Sequence, residues 1–295
     1  MFTWSNYPFL DSHPGGLAIV ACMEDFFAAR DAAHWIAVPG EDDDKYSRGV
    51  VGFVTGSAKY PGAAVLGVES AARTGVGMIR YLGAGRPTRL VLQRRPEAVT
   101  VDGRVQAWVL GSGQDPDSLD AITAGMLDAA LAQDVPTLLD GGALGRRSDA
   151  GGPVLLTPHA RELSRLIDLD ADAILADPDA AARRAADELD ATVLLKGHTT
   201  RIASPGSAQL LRVRSAPSWL ATAGAGDALA GIIGALLATH QEQLAADPQS
   251  LAPLAASGAV LHGLAAERAS GGGPLTILDL AAALPGVISE LLRIT

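Results

Sequence analysis

The feature that most constrains how this chain can fold is a recurring unit. A short, unbroken apolar run ends in a glycine or a polar residue, and a helical stretch follows. The runs are Val50-Val51-Gly52-Phe53-Val54-Thr55, Ala107–Leu110, Pro136–Leu139, Val154–Leu156 and Thr192–Leu195. A strand with one face in water alternates apolar and polar residues, whereas a continuous run is buried on both faces. Repeated strand–helix alternation of this kind predicts a mostly parallel central sheet covered by helices on both sides, an α/β fold. Further strands are expected at Met78–Leu82 and Arg89–Gln93, with an edge hairpin at Arg201–Ser204 and Gln209–Val213. Helices are expected at Ala63–Thr74, Leu119–Leu131, Pro158–Leu166 and Ala180–Leu189, and later at Leu251–Arg268 and Ile277–Leu292. Residues 17–36 look helical in patches.

The chain has 295 residues, 48% of them hydrophobic, enough to bury a large core, and no linker or repeat divides it. We expect one domain over residues 45–295, with residues 1–44 as an extension packed on it. The net charge of −10 leaves no basic field for nucleic acid or an anionic membrane, so any phosphorylated ligand must be held by local donors. Cys22 is the single cysteine, which excludes an intrachain disulfide and a cysteine metal cluster and suggests a reducing compartment. No signal peptide is legible, and apolar stretches such as Ala228–Ala238 are too short to span a bilayer. The expected setting is cytoplasmic.

Polar residues and glycines gather at the C-terminal ends of successive strands: Gly56-Ser57, Gly111-Ser112-Gly113, Asp140, Thr157-Pro158-His159, Lys196-Gly197 and Gly224–Asp227. In a doubly wound sheet that edge is where ligands bind. Within Leu220–Gly231 a glycine-rich turn enters a helix whose Leu229, Ile232, Ile233 and Leu236 form an apolar stripe. Free backbone N–H groups at such a helix start favour an anion, and Asp227 stands among them. Beside a phosphate, Asp227 could act as a base; otherwise it only caps the helix. No Gly-x-x-x-x-Gly-Lys-Ser/Thr occurs, and Gly224-x-Gly226 is followed by Leu229 rather than glycine, so neither a P-loop nor a dinucleotide fingerprint fits.

The other members carry alternatives. His159 reads either as a surface residue of a helix first turn or as a ligand contact. Lys196 is a solvated strand end or a contact to a nucleotide phosphate. Glu162 is a helix-start carboxylate or the holder of a metal-bound water, and Asp140 suits a supporting role.

These motifs resemble the ribokinase-like superfamily, and within it the ADP-dependent hydrated-NAD(P)H dehydratases. The likeness rests on Lys45-Tyr46-Ser47-Arg48-Gly49, Gly56-Ser57…Tyr60-x-Gly62-Ala63-Ala64 and Arg73-Thr74-Gly75-x-Gly77. It rests further on Thr157-Pro158-His159-x-x-Glu162, Lys196-Gly197-x-x-Thr200 and Gly226-Asp227-x-Leu229-x-Gly231. The histidine is the discriminating residue, since sugar kinases of the superfamily usually carry asparagine there. Ala223 and Ala225 depart from the usual glycine and serine or threonine.

The resemblance implies a ribokinase-like three-layer α/β/α sandwich. It implies Asp227 as catalytic base, and Ala63, Gly113, His159 and Asp227 as contacts to hydrated NADH or NADPH. Lys196, Gly197, His198, Thr199, Thr200 and Gly226 would hold ADP or ATP, and Gly224, Ala225 and Gly226 would form the phosphate loop. Magnesium would accompany the nucleotide, with Glu162 reaching it through water. A homo-oligomer, tetrameric by resemblance, is the expected assembly. The implied reaction restores NAD(P)H from its S hydrate with release of AMP or ADP and phosphate. A vitamin or sugar kinase, or an inactive nucleotide-binding module, stands as the alternative.

Overall fold

A computed structural model describes residues 26–294. Its strands are β1 (Val50–Val54), β2 (Met78–Tyr81), β3 (Ala107–Leu110), β4 (Thr137–Leu139), β5 (Val154–Leu156), β6 (Thr192–Leu195), β7 (Thr200–Ala203) and β8 (Leu210–Val213). They form one sheet in the order β2-β1-β3-β4-β5-β6-β7-β8. Pairing is parallel from β2 to β6, and β7 and β8 complete the sheet as an antiparallel hairpin.

The helices are α1 (Ala29–Ala33), α2 (Pro61–Thr74), α3 (Arg86–Arg94), α4 (Ala121–Leu131), α5 (Ala160–Leu163), α6 (Ala171–Ala176), α7 (Pro178–Leu189), α8 (Ala225–Thr239), α9 (Gln241–Ala246), α10 (Leu251–Ser270) and α11 (Ile277–Leu291). Two apolar cores lie on opposite faces of the sheet. Val51, Phe53 and Val109 pack with α2, α8, α10 and α11. Val50, Val54, Trp108 and Leu110 face the other way, onto α4 and α7. The unbroken apolar runs are thus explained, and the three-layer α/β/α sandwich follows.

The centre of the first core is α8, buried on every side from Ala228 to Ala238 rather than along one stripe. Small residues allow this. A Cβ on Gly231 would stand 2.1 Å from the Gly67 carbonyl oxygen of α2, and one on Gly234 would stand 2.2 Å from Val109 Cγ2. Among the described residues no helix is long and apolar enough to cross a membrane.

Two expectations need correction. Arg89–Gln93 is not a strand but part of α3, with Pro87 in its first turn. Pro87 and Val91, four apart, are the buried pair that fastens this otherwise polar helix. The flank of β2 is instead taken by Val99, whose N–H donates to Ile79 (2.9 Å) and whose carbonyl accepts from Tyr81 (2.9 Å). Pro158 does not open a helix reaching Leu166, because its carbonyl accepts the Lys196 N–H (2.8 Å) and stays extended; α5 begins after His159 and lasts one turn. In the Leu17–Ile36 stretch only Ala29–Ala33 is helical among the described residues. Its first part and Cys22 lie outside them.

The Gly67–Gly231 crossing yields a stability expectation. Gly231→Ala should lower unfolding free energy by about 2–3 kcal/mol, because backbone rather than a flexible side chain occupies the space. Gly125→Ala, in an exposed part of α4 with nothing near, should raise it by up to about 1 kcal/mol. Chemical denaturation of the two variants checks both signs.

Candidate active site

Asp140, at the end of β4, is the node of the carboxyl-terminal rim. Its side chain is buried and gathers donors from three neighbouring strand ends. Ser112 Oγ donates to Oδ2 (2.9 Å), while Thr157 Oγ1 and Lys196 Nζ both donate to Oδ1 (2.9 Å each). Lys196 Nζ also lies 3.6 Å from Glu162 Oε2. Burial opposes the lysine's charge, but the Asp140 and Glu162 carboxylates outweigh it and hold its pKa above the ordinary value.

His159 and Glu162 close the first turn of α5 reciprocally. The Glu162 carboxylate accepts the His159 N–H (2.8 Å), and His159 Nδ1 accepts the Glu162 N–H (3.1 Å). That bond leaves the neutral ring's proton on Nε2, and the ring is half exposed at the rim. Glu162 is therefore a helix-start carboxylate that also faces Lys196.

The start of α8 meets this cluster. Gly224 caps the helix at φ 93°, a left-handed conformation, and a Cβ there would strike Leu66 Cδ1 at 2.4 Å. Ala223 and Ala225 have ordinary negative φ, so their departure from glycine or a hydroxyl residue carries no backbone strain. The N–H groups of Gly226 and Asp227 have no protein acceptor among the described residues. Lys196 Nζ lies 3.6 Å from where a Cβ on Gly226 would stand. The Asp227 carboxyl is pushed up to about 6, chiefly by burial and then by the neighbouring Asp140 charge, with Lys196 pulling the other way. A carboxylate near neutral titration, free amides and an ammonium thus share one corner, an arrangement suited to moving a proton beside an anion.

Next to this corner lies a cavity of about 790 Å³, walled by His159, Lys196, Gly197, His198, Thr200 and the Ala225–Gly226 turn. Of the residues expected to hold the nucleotide, only Thr199 is absent from that wall. Ala63 and Gly113 lie outside it and against each other: a Cβ on Gly113 would stand 2.3 Å from Ala63 Cβ. The Lys45–Gly49 and Arg73–Gly77 motifs are not part of the site. They interlock below the sheet, where the Arg48 guanidinium donates to the Gly75 carbonyl (2.9 Å) and Gly77 N–H to the Arg48 carbonyl (3.2 Å).

Sequence reasoning passed over His262. It is buried on α10, lines the large cavity beneath Ala225, and burial lowers its pKa to about 4, so it is neutral. The available signal was an imidazole inside the apolar run Ala255–Ala266.

The fold and the Gly-Ala-Gly-Asp helix start define the class: a ribokinase-like protein. A solved ADP/ATP-dependent NAD(P)H-hydrate dehydratase from Bacillus subtilis, co-crystallised with ATP/Mg2+, superimposes with a TM-score of 0.79 at 25% identity, over 90% of this chain and 98% of that one. The family model for NAD(P)H-hydrate dehydratase matches residues 51–280, and the chain belongs to that family. The bifunctional NAD(P)H-hydrate repair enzyme of Mycobacterium leprae is 44% identical over 223 residues, 72% of this chain and 45% of that protein. The chain thus spans about half the length of such curated relatives. The ADP-dependent (S)-NAD(P)H-hydrate dehydratase of Neisseria meningitidis is 35% identical over 79% of this chain and 81% of its own length.

The raised Asp227 pKa makes a signed prediction. The group ionises less readily folded than unfolded, so its charge opposes folding; the penalty is absent below about pH 4 and complete above about pH 6. Asp227→Asn should stabilise the protein by about 1–3 kcal/mol at pH 7.5 and make no difference at pH 3.5, read from denaturation midpoints at the two pH values.

Proposed function

We propose that this chain dehydrates the S epimer of hydrated NADH or NADPH at the expense of ADP or ATP, restoring the reduced coenzyme and releasing AMP or ADP and phosphate. The observation that carries the reading is the meeting of Asp227, the Gly226 and Asp227 amides and Lys196 at one corner, beside a cavity of nucleotide size. The family membership and the ATP/Mg2+ in the Bacillus relative support it.

The chemistry follows from leaving groups. Hydroxide departs poorly from the saturated nicotinamide ring, and phosphate departs well. Asp227 takes the proton from the ring hydroxyl as that oxygen attacks the terminal phosphoryl group. The free amides and the Lys196 ammonium neutralise charge growing on the transferred group. Phosphate then leaves as the ring nitrogen supplies electrons, and loss of a proton from the neighbouring ring carbon to the departing phosphate or to water returns the double bond. Asp140 keeps Lys196 charged and aimed. His159, whose Nδ1 is taken by the Glu162 N–H, offers Nε2–H as a donor at the rim where the hydrated ring lies between it and the Ala63–Gly113 pair.

Magnesium fits the donor set only as part of a nucleotide complex. The described residues contain no group of three or more His, Cys, Asp or Glu able to cage an ion, so the nucleotide's phosphate oxygens would supply most of its ligands and Glu162 would hold it through water. When bound it supplies charge neutralisation on the phosphates. The proposal includes residues 45–295 as the catalytic unit, a cytoplasmic setting and a homo-oligomer, tetrameric by family resemblance.

Incubating the protein with hydrated NADH, ADP and magnesium should restore absorbance at the reduced-nicotinamide band with one phosphate released per coenzyme. A small-molecule kinase would accumulate a phosphorylated organic product instead. Asp227→Asn should lower kcat by about 10³-fold or more while the nucleotide still binds. Lys196→Ala should raise KM for ADP and also lower kcat.

A further inference from the structure

The turn that joins β6 to β7 brings Lys196, Gly197, His198 and Thr200 to the wall of the large cavity, while Thr199 stays out of it. The Thr199 carbonyl accepts a hydrogen bond from Arg201 Nη1 (2.6 Å). Alternation along β7 sends Thr200 to the cavity side and Arg201 to the opposite side, toward α7. The same carbonyl lies close to Gly197, where a Cβ would stand 3.2 Å from the oxygen, so the turn is drawn tight around the atom that Arg201 holds. The N–H groups of Gly197, His198 and Thr199 have no protein acceptor among the described residues.

Arg201 is itself fixed. Its antiparallel neighbour on β8 is Arg212, so two guanidinium groups share one face of the hairpin, an arrangement that is unfavourable unless a counter-charge answers it. Asp179, in the first turn of α7, meets both: Arg201 Nε donates to Oδ1 (2.6 Å) and Arg212 Nε to Oδ2 (3.0 Å). Arg212 first and Arg201 after it, against burial, hold the Asp179 carboxyl below the ordinary carboxylate value, so the cluster stays charged through the neutral range. The planar fork of an arginine can bridge two acceptors at once, here the carboxylate through Nε and the turn carbonyl through Nη1. We infer that Arg201 is a positioning residue for the nucleotide: from behind the turn it pins the Thr199 carbonyl and so keeps the free amides of Gly197 and His198 at the cavity wall, without touching the ligand. This rests on the nucleotide-holding role of residues 196–200 in the reading above.

Calorimetric titration of the full chain with ADP and magnesium tests the role. Arg201→Ala should weaken ADP binding about tenfold, because the ligand must then order the turn itself. Arg212→Ala removes the same charge and the other partner of Asp179 from the neighbouring strand, and should leave ADP affinity within about twofold of the wild type. In turnover of hydrated NADH, Arg201→Ala should raise KM for ADP in step with the lost affinity while kcat at saturating ADP stays within about twofold. A fall in kcat with KM unchanged marks a merely structural arginine and overturns the inference. Unchanged ADP affinity in Arg201→Ala, or equal weakening in both variants, overturns it as well. Arg201-dependent ADP binding by a chain that does not turn over hydrated NADH keeps the inference and removes the dehydratase reading, and turnover with ADP affinity indifferent to Arg201 does the reverse.

Discussion

One buried carboxylate organises the working edge of this protein. Asp140 is taken out of water with an ammonium and two hydroxyls as partners, so its charge is balanced by Lys196 and both of its oxygens are hydrogen-bonded. A buried ion pair contributes little net stability once desolvation is counted, and its worth here is geometric. The ends of β3, β4, β5 and β6 are stitched by a single side chain, and the lysine that faces the phosphate corner cannot wander. The same negative charge helps to hold Asp227 near neutral titration, so the lysine and the base are tuned by one residue that touches neither ring nor nucleotide in the mechanism proposed.

The other half of the corner depends on close approach of helices. Asp227 begins a helix surrounded by apolar neighbours, which is why its carboxyl is poorly solvated. That helix can sit so deep only because Gly231 lies on the Gly67 backbone. The packing that supplies most of the core therefore also creates the electrostatic condition of the site. Another ion network on the same face of the sheet has no part in this. Glu69 of α2, fully buried, is raised by burial but brought down to about 2 by Arg95, Arg73 and Arg94, and it fastens α2 to α3 away from the rim.

Much of this was legible in the residues. Continuous apolar strands announced a doubly covered parallel sheet, and the polar strand ends announced its ligand edge, because both follow from burial and periodicity. The Arg89–Gln93 run was misread because three consecutive apolar residues look alike in a strand and a short helix; Pro87, at the helix start, was the arbitrating signal. The reach of Pro158 was overestimated because its carbonyl is claimed by Lys196, a pairing nearly forty residues away that no local pattern encodes. His262 escaped for a similar reason: its place under the cavity depends on how α10 lies across α8.

The segment ahead of β1 has a role its composition does not suggest. The Phe27 amide pairs with the Arg212 carbonyl of β8, the last strand of the sheet, and Ala32 and Ala33 are fully enclosed against the neighbouring core. That contact occupies part of the outer flank of β8, where unsatisfied backbone groups would otherwise invite a second chain. A version of the protein trimmed to begin at Lys45 would keep every residue of the catalytic corner and yet present a raw flank and an uncovered apolar patch, so its failure would show as clumping in solution rather than as lost chemistry.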